Sequence, residues 1–365
     1  MFTPSSELLV EEAFAWVARW ATLEPQPAHV DPEHRWRIRS SLQKAVRRGQ
    51  ADRAVRMALA LHRLDPRYVW RAISTIAVED VGIGAPEAVF WATAAQGAAF
   101  RKAVGELPLL IALTRRMAAA LKSRSAIELA FVVETGEPEM FRPFGGMTTD
   151  QLLDRFGGAD PYEAYVALSI LRGIVPKGLS LCPPDQRGIT AAGEMLPNQM
   201  DPASARAAQA SLLRPLDNMS LGFVVATRLH RDDVERYDAM PETMMIDGYP
   251  AEAFDQHERL GRQAIGRFTR SLSRVSPALA QLSPGKAHAA VADAVFVVEG
   301  QCLDRWVGGP DLDRLRGEAD GHSLTRHGLS AEAGMGVRQL VSNSLTCLHE
   351  IRSAMVEGVT NPSSA

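Results

Sequence analysis

The sequence predicts an all-α protein, and three observations carry that expectation. Apolar residues recur at helical spacing through most of the chain, helix punctuation is frequent, and the few β-branched runs have helical neighbours on both sides. Thr3-Pro4, Asp65-Pro66 and Asp201-Pro202 each set a capping side chain before a proline at the first helical position. The helix opening at Pro66 should stop at Gly82, and Pro86 should begin its partner in a helical hairpin. Gly and Pro concentrate between residues 135–161 and 175–202, which are therefore read as linkers or functional loops, with "FRPFGG" at 141–146 an interdomain turn or, alternatively, a flexible lid or peptide-like docking element. Helices are expected over 254–274, 284–307 and 334–357, and the two "FVVE" strings at Phe131 and Phe296 are read as buried helix. Trp20, Trp36, Trp70, Trp91 and Trp306 are expected to anchor the core.

Composition narrows the class. With 365 residues, 46% hydrophobic and 23% charged, the chain has ordinary globular balance and room for two or three domains. Cys182, Cys302 and Cys347 are odd in number and far apart, so no disulfide framework or zinc site is expected and a reducing cytoplasm fits best. The first residues lack a basic leader, and no run approaches the length of a membrane span, so neither secretion nor a membrane partner is expected.

A near-neutral total hides a basic front. Between residues 31 and 124, 17 Lys or Arg stand against 8 Asp or Glu. The density peaks at Arg35, Arg37, Arg39, Lys44, Arg47 and Arg48, which are candidates for binding nucleic acid or another acidic partner. Glu79 and Asp80 raise the opposite question, because acids at a helix C-terminus are disfavoured by the dipole unless cations or donors lie close. They are read as a structural carboxylate pair, satisfied by Arg71, Arg47 or Arg48 and by free N–H groups of the helix near Pro86.

The common catalytic motifs are absent. No G-x-x-x-x-G-K-[ST], G-x-S-x-G, H-E-x-x-H or G-x-G-x-x-G occurs, and no cofactor is implied. What does occur is "SSLQKAVRRGQADRAVRMAL" followed by "DPRYVWRAISTIAVEDVGIGAPEA". Over about residues 39–95 this resembles the helical C-terminal oligomerisation collar of the replication-associated recombination AAA+ ATPases, relatives of the clamp loaders. Ala77, Val78, Glu79, Asp80, Val81 and Gly82 occupy that family's Ser/Ala-Glu-Asp-Ile/Val-Gly signature, and Asp65, Pro66, Arg71 and Pro86 match its pattern. Two departures stand out. The family's arginine pair is Trp70-Arg71 here, and the residues before Arg39 contain no counterpart of the ATPase module.

The resemblance implies a scaffold rather than a motor. It suggests a collar-like helical domain over 1–135, a Gly/Pro-rich connection with a short helix over 136–202, and a second helical domain over 203–360. The expected function is a non-catalytic accessory or structural protein of DNA replication, repair or recombination, carried on a mobile element. It would self-associate and contact DNA or a DNA-bound replication protein. Leu59, Val89, Phe90 and Trp91 would form an apolar patch that a second copy or the rest of the chain must cover. The alternative is a metal-dependent helical hydrolase using His230, Asp233, Asp255 and His257. Surface pairing explains part of the same stretch, since Asp255 and Arg259, like Glu258 and Arg262, stand four residues apart.

Overall fold

In the computed structural model, which describes residues 6–21, 34–136, 138–176, 184–213, 218–232 and 234–360, proline and aspartate open helices where the sequence places them. The walk begins with α1 (Ser6–Trp20), α2 (Arg35–Arg47), α3 (Ala51–Leu64) and α4 (Pro66–Ile76). A π-helical turn (Ala77–Val81) and a 3-10 turn (Gly82–Gly84) then lead into α5 (Pro86–Ala94), α6 (Ala98–Val104), α7 (Glu106–Ala119) and α8 (Ser125–Thr135). The middle of the chain forms α9 (Thr149–Gly157), α10 (Pro161–Arg172), α11 (Gln186–Met195), α12 (Pro202–Leu213) and α13 (Asn218–Ala226). The remainder forms α14 (Arg259–Leu272), α15 (Pro277–Ala280), α16 (Pro284–Val295), α17 (Pro310–Thr325), α18 (Ala331–Asn343) and α19 (Leu345–Thr360). Among the described residues, strand content is limited to four two-residue pieces: β1 (Glu235–Arg236), β2 (Met245–Ile246), β3 (Tyr249–Pro250) and β4 (Trp306–Val307). The fold is all-α, and among the described residues no helix is long and apolar enough to cross a membrane.

Local chemistry explains most starts and stops. Asp201 Oδ1 accepts the N–H groups of Ala203 and Ser204, so α12 begins at Pro202. Gly82 ends the π turn at φ +49°, and a Cβ there would stand 2.9 Å from the Ser123 carbonyl oxygen. The start at Thr3-Pro4 lies outside the described residues. Three expected helices are corrected. The one expected from Phe254 begins at Arg259, because the Glu258 side chain caps the Gly261 N–H and Gly261 packs directly on the backbone of Phe254 and Asp255. The one expected over 284–307 stops being α-helical at Val295 and ends in a π turn (Phe296–Gly300), leaving Trp306 in β4. The third breaks at Ser344 into α18 and α19.

The chain divides into two compact units, each assembled from three separate stretches. Unit 1 comprises Met1–Glu24, Arg67–Arg236 and Arg305–Ala319, and unit 2 comprises Pro25–Pro66, Tyr237–Asp304 and Asp320–Ala365. These are not the sequential blocks 1–135, 136–202 and 203–360. The collar-like segment itself is divided at Pro66, with α2 and α3 in unit 2 and α4 and α5 in unit 1. Punctuation marks where a helix ends, but not which helices share a core.

Unit 1 buries Leu129, Phe156, Tyr165, Leu168 and Leu221 in one cluster, and α13 crosses α8 closely enough that a Cβ on Gly222 would sit 2.2 Å from the Ala126 carbonyl oxygen. Phe141 and Phe144 of the "FRPFGG" turn are buried in the same cluster. Unit 2 is built around Ile265, Phe268, Val291, Val341 and Leu348. Leu59 is buried in unit 2, while Val89 and Trp91 are buried in unit 1. Trp91 stacks on Phe100 with centroids 6.1 Å apart, and Arg206 lies 4.2 Å over the Phe90 ring. The expected apolar patch is therefore covered within the chain. Of the tryptophans, Trp70 and Trp91 are buried as expected, whereas Trp36 is 45% exposed.

Candidate functional site

The densest basic segment of the sequence lies inside the protein. Helix α2 is buried along nearly its whole length, and Arg37, Lys44 and Arg47 are each at most 3% exposed. Arg37 pairs with Glu258 at 3.2 Å and lies 4.1 Å over the Phe254 ring. Lys44 Nζ donates to Asp255 at 2.7 Å and to Ser40 Oγ at 2.6 Å. Arg47 donates to the Gly300 carbonyl oxygen at 2.7 Å, and Arg48 meets the buried Glu252. A phosphate cannot reach cations already enclosed by their own acids. Four of the six expected nucleic-acid contacts are thus corrected to internal structure. Arg35 remains exposed, 3.3 Å from Asp65, and half-buried Arg39 lies 5.8 Å from the Trp36 ring centre.

Electrostatics in this core follow from burial opposed by paired charge. Burial pulls the Lys44 ammonium below its ordinary range even though Asp255 stands beside it. Asp255 is raised by burial, but Lys44 and the Ser40 hydroxyl outweigh that and hold its carboxyl well below the usual range. Nearby, Glu299 of the second π turn receives Arg352 Nη1 at 2.9 Å on both carboxylate oxygens and shares a 2.7 Å hydrogen bond with His349 Nε2. Despite full burial, Arg352 and His349 bring its carboxyl down to about 2.

Because α2 takes Asp255 and Glu258, it leaves the neighbouring arginines without their local acids. The surface pairs Asp255–Arg259 and Glu258–Arg262 expected at four-residue spacing do not form. Arg259, Arg262, Arg267 and Arg270 of α14, with Arg274 just beyond its end, are all exposed. Among the described residues, none of the five makes an ion pair or a side-chain hydrogen bond. At 100° per residue the four helical arginines fall within an arc of about 140°. Gly261, Ala264, Ile265, Phe268 and Leu272 form the opposite, buried face. The helix contains no acid, so it presents a cationic row about 20 Å long on a rigid support. This row is the candidate functional site. The sequence held the signal, an apolar stripe opposite regularly spaced arginines, but the local acids masked it.

Glu79 and Asp80 belong to unit 1, where Arg124 is a cation beside both. Asp80 is fully buried, with Arg124 Nη1 at 3.3 Å, and Glu79 lies 3.9 Å from the same guanidinium. The Asp80 carbonyl oxygen also accepts the Ser123 N–H at 3.0 Å. Arg47 and Arg48 are committed within unit 2, while Arg71 is exposed with its guanidinium 6.0 Å from the Tyr68 ring centre. The residues support a structural role. Asp80→Ala should lower stability by about 1–3 kcal/mol by leaving Arg124 enclosed with less countercharge. An unchanged thermal melt would point instead to a surface or ligand role.

For the remaining predicted site, the described residues each have their own setting. Asp255 is occupied by Lys44 and Ser40, and His257 is exposed in unit 2 while its own N–H bonds Asp255. His230 is exposed in unit 1, where its N–H donates to Asp311 at 3.3 Å, and Asp233 lies outside the described residues. Among the described residues, no group of three or more His, Cys, Asp or Glu side chains is arranged to hold a metal ion. Compared with known proteins, the chain matches no family model, no curated protein and no solved structure.

Proposed function

We propose that this chain is a non-catalytic accessory protein that binds the phosphate backbone of DNA, acting in replication, repair or recombination. The observation that carries the reading is the acid-free arginine row of α14. Four exposed guanidiniums on about 20 Å of helix, with a fifth just beyond its end, suit a polymer that carries a charge every few ångströms, and arginine's fork matches phosphate oxygens. The likeness of residues 39–95 to a clamp-loader-type collar supplies the cellular setting, and self-association rests on that likeness alone.

Anisotropy titration of a labelled duplex and a labelled single strand tests the proposal. With four or five phosphate contacts, affinity should fall about 150- to 500-fold between 50 and 200 mM salt. Arg267→Glu with Arg270→Glu should abolish binding while leaving the melt unchanged, since both side chains are exposed. Salt-independent binding, or binding unaffected by the double reversal, would remove the assignment. Sedimentation across a wide concentration range checks self-association, with a constant 39.7 kDa species counting against it.

A further inference from the structure

Unit 1 contains a cleft of about 730 Å³ that the nucleic-acid reading does not use. Its walls come from the α9–α10 turn, the start of α12, the segment leaving α13, Ile83 and Asp311. The lining includes the apolar residues Pro161, Met200, Val225 and Leu229, and Arg228 is among its charged members.

Arg228 is half-buried, and its guanidinium stacks 5.0 Å from the Phe156 ring centre. It donates to the carbonyl oxygens of Phe156 and Gly158, which orient the planar group but do not neutralise it. Among the described residues no carboxylate lies within ion-pairing distance of it. The acids that line the cleft are already engaged. Asp201 caps α12 through Ala203 and Ser204 and stands 3.7 Å from Arg231, while Asp311 accepts the His230 N–H and lies 4.0 Å from Arg314. Burial without an acid partner pulls the guanidinium below its ordinary value, consistent with a charge that gains from an incoming anion. The volume lies in the range of sites for small organic ligands.

We propose that this cleft binds a phosphomonoester of a sugar or nucleoside, with the phosphate on Arg228 and the organic body against Pro161, Met200, Val225 and Leu229. Arg231 and His230 also line the cleft and offer N–H donors to a ligand bearing more than one negative charge. The site is independent of the α14 row, which lies in unit 2.

Calorimetric titration of the full chain with AMP, ribose 5-phosphate, inorganic phosphate and uncharged adenosine tests the proposal. AMP or ribose 5-phosphate is expected to bind with a dissociation constant of about millimolar or tighter, and adenosine at least about tenfold more weakly. Arg228→Gln should weaken the phosphomonoester by about tenfold or more. Should that variant fail to fold, Ala159→Trp decides, because Ala159 is an exposed lining position where a large ring fills the cleft. Arg267→Glu with Arg270→Glu should leave AMP binding intact, so a failure here is separable from a failure of the DNA reading. No binding of either phosphomonoester, binding no better than adenosine, or binding unchanged in Ala159→Trp overturns the proposal.

Discussion

Arg352→Ala should destabilise the protein by about 3–5 kcal/mol, the cost of leaving a buried charge without its partner. Glu299 and Arg352 are both almost fully enclosed, and the guanidinium contacts both carboxylate oxygens at 2.9 Å. Loss of Arg352 leaves Glu299 with His349 as its remaining named partner. The wild-type pair also has a pH signature. The Glu299 carboxyl is depressed from its ordinary 4.5 to about 2, so its stabilisation is fully present above 4.5 and is lost as pH falls towards 2. Chemical denaturation at several pH values should show that slope in the wild type and a shallower one in Arg352→Ala. Replacing both partners, Glu299→Gln with Arg352→Met, should recover much of the loss, because a buried ion pair is costly mainly when halved. A single variant as stable as wild type would mean that Glu299 is not held by this guanidinium.

Asp255→Ala should cost a similar amount, about 3–5 kcal/mol near neutral pH, by stranding Lys44 in the interior of unit 2. Lys44 has a 4% exposed side chain, and its ammonium is already below its ordinary 10.5 through burial. Removing the carboxylate lowers it further. The folded variant then holds fewer protons than the unfolded chain, so its stability should rise as pH climbs towards 10.5. In the wild type, Asp255 contributes stability above its ordinary 3.8, which is lost as the medium becomes strongly acidic. Denaturant melts at neutral and alkaline pH decide the matter, and a variant whose deficit does not shrink with alkalinity would show that Lys44 is not the stranded group.

Helix positions were legible because their causes are local. Asp201 and Pro202 act on the first turn that follows them, and the stripe of Ala264, Ile265, Phe268 and Leu272 needs only helical periodicity. Partner choice was not legible. Asp255 and Glu258 have arginines four residues away, yet they pair with Lys44 and Arg37, which lie 211 and 221 residues distant in sequence. A spacing rule compares neighbours on one helix and cannot weigh a buried cation that needs the same acid more. The same blindness placed Arg37, Lys44, Arg47 and Arg48 on the surface, since counting charge does not distinguish a solvated face from an enclosed network. The dipole argument reads Glu79 and Asp80 as structural but does not point to Arg124, which reaches both from the start of α8.

Interleaving of the two units also sets a timetable for synthesis. At about 5–20 residues per second, α2 emerges roughly 10–50 s before the acids and carbonyl groups that will enclose its cations. The Arg47 carbonyl partner, Gly300, follows 253 residues later. During that interval a nascent chain carries Arg37, Lys44, Arg47 and Arg48 in water, next to the polyanionic RNA of the ribosome. A fragment ending before Glu252 would keep α2 in that state and bind nucleic acid indiscriminately through side chains that the complete chain hides.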